Sequence, residues 1–440
     1  YLATSQRQDG GFYQNFWVDG RPYWTGEQLD EAAFPIILAW RLYRLKALRE
    51  FDPYDLVMRA AGFLIAFGPV TPEERWEEAS GYSPSTLAAL IASLTCAAVF
   101  ARERGDAATA DFIQSYGDFL NAHLEDWTVT AGGEVAPGIG RHYMRILPVP
   151  AGQTEPAGGK DKAILNLANR EPGKRFAFPA AGIVDQGFLE LVRYGIRRAD
   201  DRVIQESVRA VDALLKVNTP FGPCWRRYNH DGYGQKDDGT AYTGWGRGRA
   251  WPLLTGERAH YELAAGRPVD PLIQTMERLA HGIGLLPEQV WDAADIPSQF
   301  LYFGRPTGSA MPLMWAHSEY IKLLRSRQDN QVFDRIPQVA ERYAAGKAPK
   351  QPPEFWSFNY QLPRIAAGAT LSIQAAAPFV LHWSGDEWKT SADVPAQATA
   401  TGIYFVRLPT KRGQRAPLRF TFYWPQGQHW EGKDYAVAVA

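Results

Sequence analysis

The 440-residue chain carries 47 Lys and Arg against 48 Asp and Glu, a formal charge of -1. With no basic excess to neutralise phosphates, a nucleic-acid or anionic-membrane partner is disfavoured. Fifteen Trp, 20 Tyr and 22 Phe make up 13% of the residues, a ring content that suits either sugar stacking or, more commonly, a large aromatic core. The two cysteines, Cys96 and Cys224, have neither zinc-type spacing nor a disulfide framework, and Cys96 lies in an apolar run as a buried free thiol.

The opening YLATSQRQDGG reads as a helix end running into a turn, with neither an initiator Met nor a signal-peptide pattern. The chain is therefore expected to begin inside a longer protein. From residue 27 to about 345 the pattern is mainly helical, with helices expected over 27–45, 53–67, 85–104, 106–123, 184–198, 201–216, 256–265, 270–282, 311–326 and 331–344. The run 79–101 carries no charge, but Gly81, Pro84 and its many alanines suit a buried inner helix better than a membrane span. So many two-sided helices with Gly- and Pro-rich connections predict a closed toroid of helical hairpins. The glycine-rich span 128–180 is long enough to be a set of binding loops. GKAPKQPP (346–353) is a linker, because Pro352 and Pro353 stop a helix. Beyond it the period falls to two, at 370–374, 379–383, 403–408, 418–424 and 435–440, which predicts a small β-sandwich over 354–440.

The stretch RWEEASGYSPST (75–86) carries the first candidate chemistry. Thr71, Pro72 and Glu74 upstream read as a capped helix start. Were that helix to continue, Glu77 and Glu78 would form like-charge pairs with Glu73 and Glu74, each costing about a few tenths of a kcal/mol. Two adjacent carboxylates beside the Trp76 ring push at least one pKa upward, as an acid catalyst requires. Taken alone, such a pair more often marks a solvated acidic turn. Glu288, in the loop GIGLLPEQVWD (282–292), is set among Leu285, Leu286, Val290 and Trp291; Asp292 and Asp295 compete for any role given to it.

Six blocks in order extend this pattern: YWTGEQLDEAAFPI (23–36), RWEEASGYSPST, CWRRYNHDGYG (224–234), GRAWPLLTGERAHYELAAG (248–266), LPEQVWD and SAMPLMWAHSEYIKL (309–323). Over residues 1–345 the chain resembles the bacterial branch of glycoside hydrolase family 15, the glucoamylases. The resemblance implies a mainly α fold, an (α/α)6 toroid incomplete at its N-terminus, which removes glucose from non-reducing ends of α-glucans with inversion. It makes Glu77 the general acid and Glu78 a substrate contact. Glu288 would be the general base, held by Ser309. Trp24 would line the cleft and steady the acid, with Trp76 and Trp251 as ring walls; Arg227 and Tyr228 match the family's sugar-binding Arg-Tyr. Gln28 and Asp30 fall in the same helix-start segment. Inverting hydrolysis requires one protonated and one ionised carboxyl, roughly 6.5–9.5 Å apart; crowding of Glu77 by Glu78 and Trp76 would serve the first, and a hydroxyl donor from Ser309 the second. The family's Trp-Pro-Arg-Asp segment and N-terminal β-sandwich do not occur in this sequence.

Other features take structural readings. GWGRGRAW (244–251) lacks the lysine of a phosphate loop and reads as a substrate-rim loop. NHDGYGQKDDGT (229–240) does not match an EF-hand, so a solvated turn outranks calcium there, and no cofactor is expected. His260 and His317 sit on helical patterns as hydrogen-bonded core residues. Glu319 reads as an exposed helix carboxylate. Of the sandwich tryptophans, Trp356, Trp383, Trp388, Trp424 and Trp430, packing is expected before polysaccharide binding. The reading is a monomeric glucan 1,4-α-glucosidase with an oligo- or polysaccharide substrate. Dextran or trehalose hydrolysis, or sugar binding without turnover, are the rivals. A secreted, periplasmic or cytoplasmic location stays open.

Overall fold

The computed structural model describes residues 1–440 apart from Thr25, Glu134 and Ala151, so Thr25 of the YWTG block lies outside the described residues. The first part is built on helices: α1 (Leu2–Ser5), α2 (Leu29–Arg44), α3 (Tyr54–Phe67), α4 (Pro84–Glu103), α5 (Ala107–Thr128), α6 (Leu189–Tyr194), α7 (Arg202–Leu215), α8 (Pro252–Ala264), α9 (Asp270–Leu279), α10 (Met314–Asp329) and α11 (Pro337–Val339). Their starts follow local chemistry. Ser83 accepts from the Thr86 amide with Pro84 in the first turn of α4, and Asp106 and Asp201 cap α5 and α7 in the same way. Helix α4 is the one helix among the described residues long and apolar enough to cross a membrane, yet 94% of that window is buried by neighbours. It packs against α2, α3, α5 and α6.

The even-numbered helices form a consecutive inner series: α2 on α4, α4 on α6, α6 on α8, α8 on α10. Helices α3, α5 and α9 pack behind α2, α4 and α8. At the two ends of this series, α2 shows Phe34, Leu38 and Tyr43 to solvent, and α10 shows Met314, Trp315, Ile321 and Leu324.

Three expected elements differ. No helix starts at Thr71: its amide and carbonyl pair with Gly81, and its hydroxyl donates to the Glu73 carbonyl, so nothing is left to cap a helix. The helix expected over 184–198 shrinks to α6, because Asp185 is bridged to Tyr228, residues 186–188 form a turn and Gly195 ends the helix at φ +92°. The helix expected over 331–344 divides into α11 and a π turn, Ala340–Ala344. Both cysteines are buried and free.

Residues 346–353 have no regular secondary structure. Two sheets follow. One orders strands 354–356, 370–375, 404–409 and 397–398; the other orders 364–365, 435–439, 418–424, 380–384 and 392–395, with 429–430 at the side of 418–424. Alternate residues of both, Leu371, Ile373 and Leu408 from one and Leu381, Phe420, Phe422 and Val437 from the other, share one core with Trp356. The five tryptophans divide: Trp356, Trp383 and Trp424 pack on this core, whereas Trp430 is 53% exposed and Trp388 stacks on His382. Phe355 and Phe405 instead join the helical core, where Phe405 stacks on Phe112 at 4.4 Å.

Gly62, inside α3, marks how closely the two parts fit. A Cβ there would stand 2.1 Å from the Thr401 carbonyl oxygen. Replacing a helical Gly with Ala gains about 1 kcal/mol of propensity, whereas overpacking costs about 1–3 kcal/mol. Gly62→Ala is expected to lower the urea midpoint, with the clash outweighing the propensity gain.

Candidate active site

The two adjacent glutamates point in different directions, and the backbone explains why. Residues 74–79 make a tight turn in which the Glu77 amide donates to the Glu74 carbonyl at 2.7 Å and the Glu74 amide to Ala79 at 3.1 Å. Glu77 takes a left-handed φ of +61°. Consecutive side chains therefore diverge: Glu77 is exposed and receives the Gln14 amide, while Glu78 turns inward.

Glu78 is surrounded by donors. Its Oε1 accepts from Asn169 Nδ2 and Arg227 Nη2, each at 3.0 Å, and its Oε2 from Arg145 Nη2 at 2.8 Å and the Tyr228 hydroxyl at 2.5 Å. Burial would raise its pKa, but Arg145 and Arg227 outweigh that and hold it below the ordinary glutamate range. The expected crowding of Glu77 by Glu78 is thus overturned, because two guanidinium groups neutralise Glu78. Glu77 instead adds its charge to those of Glu31 and Glu73, helping to raise both. Glu31, half-buried, is pushed up to about 8 by burial and then by Asp30, and neither of its carboxylate oxygens has a partner among the described residues.

Arg227 is the hub. Asp231 accepts twice from it, at 2.8 Å each, which fixes the plane of the fork. Around it stand Trp76, Tyr228, Tyr233 and Trp251, with ring centroids 4.7–5.7 Å from its central carbon. Trp76 and Trp251 meet edge-on at 5.6 Å, and Trp315 tilts against Trp76 at 5.9 Å. Beneath them the Trp76 indole donates to Asp185 at 3.0 Å, and Arg75 pairs with Glu257 and Glu190.

Glu288 belongs to the same cleft. Burial raises its pKa, while Arg227, the Tyr233 hydroxyl and the Gln289 amide pull it back; Gln289 Nε2 donates at 3.2 Å. The loop is clamped to the block that follows, with Glu288 N donating to the Ala310 carbonyl and Leu313 N to Leu286. His317 Nε2 accepts from the Leu286 amide. Ser309 does not meet the Glu288 carboxylate: its hydroxyl accepts from the Gln289 amide at 3.0 Å, so it orders the loop one residue along. Asp292, the competing carboxylate, is fully engaged with Arg226 and Arg249. Asp295 caps the Phe303 amide.

The remaining candidates divide. Trp24 is 40% exposed at the rim, and its indole nitrogen lies beside a Glu73 oxygen over Gly26, where a Cβ would be 2.6 Å from the first and 2.7 Å from the second. Asp30 is buried with Thr86 donating to it at 3.2 Å, and Gln28 is buried next to it. Glu319 is not exposed: it is fully buried between Arg193 and His260. In the 229–240 loop Asp231 pairs with Arg227 and Asp237 with Arg247 and Arg249, and among the described residues no group of three or more His, Cys, Asp or Glu side chains is placed to hold a metal ion. Arg145, Asn169, Tyr233 and Tyr242 also stand around Glu78 and Arg227, and sequence reasoning did not single them out. Arg145 alone left a signal, as the only full charge in the apolar run HYMRILPVP (142–150).

The site is thus a ring-walled cleft around a paired cation, with the carboxylates of Glu77 and Glu78 brought to it by one segment and that of Glu288 by another. The chain belongs to Glycosyl hydrolases family 15, whose sequence model matches residues 4–325. A glucoamylase of Clostridium sp. (strain G0005) is 43% identical over 346 residues, 78% of this chain and 45% of that protein. The crystal structure of a bacterial glucoamylase complexed with acarbose superposes with a TM-score of 0.67 at 43% identity, covering 78% of this chain and 47% of that one. The chain thus spans about half the length of these relatives.

The electrostatics of Glu31 give a pH test. Its folded pKa lies above the ordinary glutamate value of 4.5, so between 4.5 and about 8 the folded state keeps a proton that the unfolded chain has released. Stability from this group therefore falls as pH rises through that window. The Tm of Glu31→Gln should match that of the unaltered chain near pH 4.5 and exceed it by about 2 °C or more at pH 8, with the gap levelling off above.

Proposed function

We propose that the chain forms the catalytic part of an exo-acting, inverting glycoside hydrolase that releases glucose from non-reducing ends of α-glucans, of the glucan 1,4-α-glucosidase type. The observation that carries this reading is the position of Arg227: one guanidinium pairs with Glu78 and also draws on Glu288, so the WEE turn and the later loop converge on a single cleft. The bacterial glucoamylase bound to acarbose supports an oligosaccharide ligand.

In this reading Glu77, in its carboxylic form, gives its proton to the glycosidic oxygen. Glu288, ionised, takes a proton from a water that attacks C1 from the opposite face. The C1–O bond breaks as the C–OH bond forms, giving β-glucose, and the two carboxyls exchange their protons back through solvent. Glu78 stays ionised and receives hydroxyls of the leaving sugar, and Arg227 orients the sugar. Ser309 acts on the base through the loop backbone. The inner helix series from α2 to α10 reads as an arc of an (α/α)6 toroid, residues 1–345 as the catalytic domain, 346–353 as its linker and 354–440 as a β-sandwich. The protein works as a monomer without a cofactor.

Glu77→Gln and Glu288→Gln are each expected to lower turnover on maltose by about 10²-fold or more with sugar binding retained; proton NMR of the first product should show the β-anomer. Equal rates in the variants, or α-glucose first, would overturn the assignment, while preference for isomaltose or trehalose would move the linkage specificity. Tyr233→Phe removes a donor that favours ionised Glu288, so the acidic limb of kcat/KM should shift to higher pH, by about half a unit or more.

A further inference from the structure

A carboxylate has about four acceptor positions, and in Glu78 all four are taken: Asn169 and Arg227 on Oε1, Arg145 and Tyr228 on Oε2. If Glu78 receives a hydroxyl of the leaving sugar, as the proposed function has it, one of these donors must withdraw. Three are poorly placed to do so. Arg145 is buried, pairs also with Glu74 at 2.6 Å and lies 3.8 Å from the Tyr228 ring centroid. Arg227 is locked by Asp231 on both oxygens. Pulling either cation away strands a buried charge, and Tyr228 is fully buried against both.

Asn169 differs in each respect. It is neutral and half-buried, and sits at φ +60° in the loop that follows strand 164–166. Its Oδ1 accepts from the hydroxyl of Tyr242, which is also half-buried. Its backbone is pinned, since a Cβ on Gly232 would stand 1.8 Å from the Asn169 carbonyl oxygen and the neighbouring Arg170 donates to the His230 carbonyl at 2.9 Å. With the loop backbone packed in place, the withdrawal from Glu78 falls to the Asn169 side chain, whose only described side-chain partners are Glu78 and the Tyr242 hydroxyl.

We propose that Asn169 is a specificity-determining residue of the leaving-sugar subsite: its amide occupies the Glu78 lone pair that a hydroxyl of the leaving glucosyl unit takes on binding. A ligand with a second sugar displaces the amide, whereas a glucoside lacking that sugar leaves it in place. Tyr242 holds the displaced state in balance, because its hydroxyl competes to keep the amide where it is. The subsite thus discriminates by exchanging one hydrogen bond for another, and tightens when the incumbent donor is removed.

The test reads binding, so it does not depend on turnover. In the Glu77→Gln background, calorimetry would compare maltose with methyl α-glucoside for the parent, Asn169→Ala and Tyr242→Phe. The affinity ratio of maltose to methyl α-glucoside should rise about fivefold or more in Asn169→Ala, and rise by less in Tyr242→Phe. A ratio unchanged or lowered by Asn169→Ala would overturn the inference, since a purely structural Asn169 would weaken maltose when removed. Binding of neither sugar by the parent would overturn both this inference and the proposed function. Binding with the expected ratio, but without hydrolysis by the unaltered chain, would overturn the catalytic reading alone.

Discussion

The site depends on one buried cation. Arg227 is taken out of water among four aromatic rings, which is tolerable only because Asp231 grips it from one side and Glu78 from another. With Asp231 fixing its plane, the guanidinium presents a constant geometry to both carboxylate-bearing segments, the turn at 74–79 and the loop at 286–292. Those segments are about 200 residues apart in sequence; each is held locally by its own backbone hydrogen bonds, and the charge network joins them to one another.

Further charges are laid down in pairs behind that centre. Arg75 meets Glu257 and Glu190, Arg193 meets Glu319 and His260, and Arg249 meets Asp292. Each pair joins segments distant in the chain, so the inner helices are registered against one another by directional contacts as well as by apolar packing. Such pairs contribute little net stability beside a well-packed apolar core, but breaking one is costly. Their effect is to allow few alternative packings beneath the ring wall of Trp76, Trp251 and Trp315.

The cleft is electrically divided. On the Glu78 side, two guanidinium groups and two neutral donors saturate a single carboxylate. On the Glu77 side the neighbours are other carboxylates, Glu31 and Glu73, with Gln14 as the donor. Two adjacent residues of identical chemistry are thereby given opposite surroundings, and the device that separates them is a single left-handed backbone conformation at Glu77. Asn169, brought in from the long glycine-rich connection, completes the saturated side.

Periodicity was enough to place α2 to α5 and α7 to α10 within a few residues of their ends, with α5 extending further, because their apolar spacing and caps are local. The strands 370–375, 380–384, 404–409, 418–424 and 435–439 followed from their period of two in the same way, whereas the short strands 392–395, 397–398 and 429–430 carried no such pattern. The six sequence blocks were enough to bring Glu77, Glu78, Arg227, Tyr228, Trp251 and Glu288 into consideration, since motif order survives without coordinates. Sequence reasoning placed a helix start at Thr71 and let Glu78 crowd Glu77, because a capping box and adjacent glutamates look the same whether or not a β-bridge to Gly81 claims the backbone. It also gave Ser309 to the Glu288 carboxylate and left Glu319 on the surface. Which carboxylate is neutralised, by which arginine, and where Asn169 and Tyr233 stand are decided by contacts between segments tens to hundreds of residues apart. Burial and charge pairing are properties of those contacts, and no local pattern encodes them.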